Sequence, residues 1–201
     1  MFRDTIIKIF EDIWPMILIC CVILISMRLV YIIKYKKEIV FYKEILALGF
    51  VLYVICLFRV VSFQDVSWST SNYMPFKEIF RYQIGSKLFY KNVIGNMLMF
   101  IPYGFFTSYF LKLKKPIHII LMTLLVSLTI EFTQLKIGRV FDIDDILLNM
   151  IGGLVGFIIF YFIDKIKSRL PDLLQKQFVY NIIVVLVLLI ITLYLMGVFY
   201  V

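Results

Sequence analysis

From Ser127 to Gly156 the chain reads SLTIEFTQLKIGRVFDIDDILLNMIGGLVG, which sets Glu131, Gln134, Arg139, Asp142, Asp144, Asp145 and Asn149 between two segments apolar enough to cross a bilayer. A carboxylate or carboxamide in such surroundings is costly unless it meets a partner, a cavity or water. These residues are therefore the first candidates for chemistry. Glu131, Asp142, Asp145 and Arg139 are the catalytic candidates. Glu131, Asp142 and Asp145 could also hold a divalent cation through oxygen ligands, and Arg139 could take a phosphate. Asn92, Asn96, Gln134 and Asn149 are the candidate hydrogen-bonding residues for a ligand. No spacing selects among these uses.

The periodicity shows how helices would present them. Ser127, Glu131 and Gln134 follow one another by four and three residues, so one helix face carries all three. Asp145, Asn149, Gly152 and Gly156 follow by four, three and four. The Gly152 and Gly156 pair forms G-x-x-x-G, which lets a neighbouring backbone approach and would press that polar face against another helix. Upstream, Asn92, Asn96 and Met99 share a face with Gly95 beside it, and Pro102 and Gly104 predict a kink in the middle of that helix. Two readings of the polar residues stand. They read either as structural glue, at about 1 kcal/mol per interhelical hydrogen bond, or as the lining of a pocket. Glue needs one or two such groups, so their density favours the pocket.

The elements that must position these residues are membrane helices. The chain has 201 residues, 63% of them hydrophobic, against roughly 45–50% in soluble domains. Spans of about 20 apolar residues are predicted near 14–33, 44–61, 93–111, 117–135, 146–163 and 178–200. The fold class is all-α: a polytopic transmembrane bundle of about six helices. Trp14 and Pro15 are expected at the start of the first, with Arg28 snorkelling. In SNYMPFKEIFRYQI, Phe76, Ile79, Phe80 and Ile84 recur at helical spacing, which predicts a short outer helix in the membrane interface, as a cap or a lid over the polar cluster. The last span looks like a lipid-facing anchor. Three parts follow: 1–44, a helix and basic loop; 45–163, the domain with the polar cluster; and 164–201, a basic loop and anchor.

The net charge of +8 is gathered in loops and suits topology and anionic headgroups, not nucleic acid. Lysine-rich connections at 34–43, 112–116 and 164–177 lie on one side of six alternating helices. The positive-inside rule then puts both termini outside and the polar cluster in the outer half of the membrane. Cys20, Cys21 and Cys56 lie inside spans without metal or disulfide spacing, and His118 stands alone. No G-x-S-x-G, H-E-x-x-H or Walker loop occurs, and no repeated polar motif suggests an inverted-repeat transporter.

The motif residues resemble the VanZ-like membrane proteins. The resemblance runs through N-x-x-G-N-x-x-x-F-x-P-x-G at Asn92, Gly95, Asn96, Phe100, Pro102 and Gly104, then S-x-x-x-E-x-x-Q at Ser127, Glu131 and Gln134. It continues as R-x-x-D-x-x-D-x-x-x-N-x-x-G-x-x-x-G at Arg139, Asp142, Asp145, Asn149, Gly152 and Gly156. Asn72, Pro75 and Phe76 look like the family's N-x-x-P-F element. The resemblance implies a multi-pass protein of the cell membrane contributing low-level resistance to teicoplanin, a lipidated glycopeptide, with a lipoglycopeptide or a lipid-linked cell-wall precursor as partner beside the bilayer. Two other functions fit the same residues: a membrane enzyme acting on a lipid phosphate or lipid-linked precursor, and a small transporter.

Overall fold

The computed structural model describes residues 2–62 and 71–196. Its elements are α1 (Phe2–Tyr35), α2 (Phe41–Ser62), α3 (Lys77–Arg81), α4 (Lys87–Phe89), a π-helical turn (Tyr90–Ile94), α5 (Gly95–Leu111), α6 (Pro116–Lys136), α7 (Ile143–Lys167) and α8 (Gln177–Leu195). Six helical stretches among the described residues are long and apolar enough to cross a membrane, with α4, the π turn and α5 forming one of them. The chain is an all-α, multi-pass membrane protein. The residues at 197–200, expected at the end of the last span, lie outside the described ones.

The chain packs as two compact units, Met1–Arg59 with Arg169–Val201, and Val60–Ser168. In the first, α1 runs straight through Pro15 and does not start there. Proline removes one backbone donor, and a single missing bond does not end a helix of this length. Arg28 does not reach for headgroups alone: its guanidinium forks onto Glu44, with N–O distances of 2.7 and 2.9 Å. Arg59 pairs with Asp12 at 2.6 Å. The backbone N–H of Tyr42 donates to Asn181 on α8 at 3.1 Å, while α8 buries none of its residues, as suits a surface facing lipid tails.

The second unit is built on the contact of α5 with α7. Cβ atoms added at Gly104, Gly152 or Gly156 would fall within 3.0 Å of backbone on the opposite helix: Gly153, Met97, and Ile101 to Phe105, respectively. Lipid tails are as apolar as the helices, so association depends on close van der Waals packing, and small residues permit it. The helix continues through Pro102, and upstream of it, in the π turn, the N–H of Gly95 bonds to the carbonyl of Tyr90. Lys112, in the left-handed region at φ 51°, caps α5, and Pro116 opens α6. The hairpin therefore sends α6 back along α7.

At the other end of α6, Gly138 at φ 84° reverses the chain, a conformation that side chains with a Cβ resist. Asp142 then caps α7, its side chain accepting the N–H of Asp144 at 2.9 Å. Acidic residues at a helix N-terminus complement the macrodipole, which gives the aspartates here a structural role before any other. The segment through Asn72 and the short helix α3 meet the chain at this same end of the unit.

Candidate functional site

Asn72 bridges in parallel to Asp142: its N–H donates to the carbonyl of Phe141 at 2.8 Å and its carbonyl accepts from Ile143 at 3.1 Å. Its amide donates to Asp142 at 2.9 Å, and its side-chain oxygen accepts the N–H of Met74 at 3.2 Å. Tyr73 stacks on Phe141, with ring centroids 5.5 Å apart. This segment leads to Pro75 and Phe76, the latter in the left-handed region at φ 67°. A bulky residue there is strained, and the strain is held by Asp144. That carboxylate, 1% exposed, accepts the backbone N–H groups of Phe76, Glu78 and Ile79 at 2.5, 2.7 and 3.2 Å.

Asp144 thus supplies from α7 the cap that α3 lacks in its own sequence. Sequence reasoning placed it among the first candidates for chemistry without a specific role, and it lies off the face shared by Asp145 and Asn149. A signal was present: a third carboxylate off that face, at the mouth of an apolar span, needs a partner of its own. A helix forms where the spacing predicted one, but it is short. Tyr82 is extended and Gly85 sits at φ 86°, so it stops at Arg81, leaving Phe80 82% exposed.

The same unit holds a small polar cavity lined by Val61, Asn96, Met99, Phe100, Ile130, Glu131, Gln134, Asp145 and Asn149. Glu131 is 1% exposed and Asn149 4% exposed. One Glu131 oxygen accepts the backbone N–H of Asp142 at 2.9 Å, so the returning loop after Gly138 closes onto the carboxylate. An amide between a guanidinium and a carboxylate must turn its oxygen to the former and its nitrogen to the latter. Gln134 in that orientation donates to the other Glu131 oxygen at 3.1 Å and accepts from Arg139 at 2.5 Å. Arg139 also donates to the carbonyl of Val61 at 2.7 Å.

Across the cavity, the Asn96 amide donates to one oxygen of Asp145. The Asn149 amide nitrogen donates to Ser127 at 2.9 Å, while its oxygen has no partner among the described residues. Asp142 sits at the rim. Burial pushes its carboxyl above the ordinary carboxylate range, and nearby Asp144 and Glu78 add to this, against the hydrogen bonds from Asn72 and the Asp144 amide.

Of the candidate residues, Asn96, Glu131, Gln134, Asp145 and Asn149 come together in the cavity, with Asp142 and Arg139 at its edge. Asn92 does not line it: the wide π turn changes the angular spacing, so the four-residue step from Asn92 to Asn96 no longer marks one face. Gly95 lies at the end of this turn, and Gly104, Gly152 and Gly156 serve the helix contact. Among the described residues no three His, Cys, Asp or Glu side chains form a metal-ligating group. The arrangement can place two carboxylates, fixed by amide donors, against one small polar occupant.

Comparison with known proteins gives one family match: the model described as VanZ/LLP1 covers residues 45–164. Searches of the curated proteins and of the solved structures return no match.

Proposed function

The chain belongs to the VanZ/LLP1 family, and from that premise we propose that it lowers susceptibility to teicoplanin-type lipoglycopeptides through its intramembrane polar cavity. The observation that carries this reading is the convergence of Glu131, Asp145 and Asn149 on one cavity at the loop-bearing end of the α5–α7 bundle. With the basic loops at 34–43, 112–116 and 164–177 on the cytoplasmic side, this end faces outward. It then meets the leaflet in which lipid-linked cell-wall precursor is exposed and a lipidated drug anchors.

Size decides how the cavity would act. It offers about 20 Å³ to the centre of a water-sized occupant, against the ~10–15 Å³ needed for one water. A glycopeptide does not fit. The protein therefore engages a small polar part of a membrane component, and resistance follows from shielding that component or altering the surface where the drug's acyl chain inserts. A second reading uses the same two carboxylates as acid and base on a lipid phosphate or lipid-linked precursor. Turnover of such a lipid by the purified protein would select it.

Expression in a susceptible Gram-positive host tests the proposal. The inhibitory concentration of teicoplanin should rise more than that of vancomycin. Equal shifts, or no shift with the protein present in the membrane, would overturn it.

A further inference from the structure

We propose that the cavity between Glu131, Asp145 and Asn149 is a binding site for a primary ammonium group, of the kind carried by aminated membrane lipids. The inference deepens the function proposed above and rests on that reading only for where the ligand comes from.

The hydrogen-bond inventory of the walls points to a cation. Each side-chain amide of the cavity lining turns one of its two N–H donors to a wall partner: Asn96 to Asp145, Gln134 to Glu131, and Asn149 to Ser127. What remains for an occupant is chiefly acceptor capacity, since the lone pairs of two carboxylates and an amide oxygen outnumber the remaining amide N–H groups. Glu131 and Asp145 each have lone pairs beyond the bonds they accept. The Asn149 oxygen is the independent witness, since it belongs to a side chain 96% buried (4% exposed), lines the cavity and is bonded to nothing among the described residues. A buried amide oxygen left without a donor is costly, because it has lost its water without gaining a partner. An N–H donor in the cavity removes that cost.

Charge and volume narrow the class. Arg139 is held at the edge by Val61 and Gln134, and Asp142 is turned to Asn72 and the start of α7. Two lining carboxylates, with Asp142 beside them at the rim, outweigh the one guanidinium at the edge, so the cavity favours a cation. An anion such as phosphate would face both carboxylates. A divalent ion would need six or more oxygen ligands in most settings, and the described residues give no three-ligand group. Three N–H donors on one small cation match three acceptor residues, while a trimethylated ammonium has no donors and exceeds a space for one or two waters.

The test uses the purified full-length chain in mild detergent and its thermal unfolding midpoint. Methylammonium chloride should raise the midpoint saturably, as any ligand of the folded state does, while tetramethylammonium chloride at equal ionic strength should not. Asp145→Asn should lose the effect. Should that variant fold poorly, the contrast between the two salts on the unmodified protein decides alone. No difference between the salts, or saturable stabilisation by magnesium, calcium or sodium in place of methylammonium, would overturn the assignment. Nanodiscs separate the sources: stabilisation by phosphatidylethanolamine over phosphatidylcholine assigns the lipid headgroup, and stabilisation by methylammonium alone assigns a soluble amine. A negative binding result with teicoplanin resistance intact removes the ammonium site and leaves the function standing, whereas binding without resistance does the reverse.

Discussion

Glu131 and Asp144 are equally buried and serve different ends, as their partners show. Asp144 satisfies backbone donors of a loop; Glu131 is fixed by one backbone donor and one amide, and still lines the cavity. Replacing Glu131 with Gln keeps shape and removes charge. We expect Glu131→Gln to abolish resistance at normal membrane abundance, read by immunoblot beside inhibitory concentration; full resistance would reduce the residue to packing. Asn149→Leu should lower abundance and resistance together, because it strands Ser127. Asp142 adds a pH dependence. Its folded-state pKa is raised, so the folded chain holds the proton more tightly than the unfolded one. Its contribution is then greatest below the ordinary carboxylate value and is lost as pH rises through the raised one. Asp142→Asn should flatten that part of a stability profile measured from acid to neutral pH.

At the scale of elements, the strap formed by residues 71–81 is tied to the first turn of α7 and not to its own helix. Asp144→Ala would leave three backbone donors without their acceptor, at about 1–3 kcal/mol for each buried group. Hydrogen exchange at Phe76, Glu78 and Ile79 should accelerate at least tenfold while the α5–α7 contact stays protected; unchanged exchange would show that the strap is held otherwise. The glycines separate in the same way. A methyl at Gly104 meets the Gly153 backbone, while one at Gly49 meets nothing within 4 Å. Gly104→Ala should cost about 1–3 kcal/mol and Gly49→Ala should be neutral or stabilise by up to ~1 kcal/mol, as unfolding in detergent can compare.

For the whole molecule, six spans and the distribution of lysines set the expected orientation. In a background lacking Cys20, Cys21 and Cys56, single cysteines at Lys36, Lys114 and Val140 should report it. An impermeant maleimide added outside should label position 140 and spare 36 and 114. The opposite pattern would put the cavity on the cytoplasmic side and withdraw the proposed access from the outer leaflet.

Composition and period were enough to determine a polytopic helical protein, its six spans, the faces shared by Glu131 with Gln134 and by Asp145 with Asn149, and the close-packing role of Gly152 and Gly156. These follow from local physics: apolar run length against bilayer thickness, and the helical repeat. Tertiary structure alone decided that α5 is the helix pressed against those glycines, that Asn92 drops out of the cavity through a π turn, and that Asp144 holds a loop some 66 to 68 residues away in sequence. It also decided that Gln134 relays between Arg139 and Glu131, and that the Asn149 oxygen is buried without a partner among the described residues. Pattern in one segment records which side of a helix is polar; which donor meets which acceptor depends on how two helices and a returning loop are set against each other, and no single segment contains that distance.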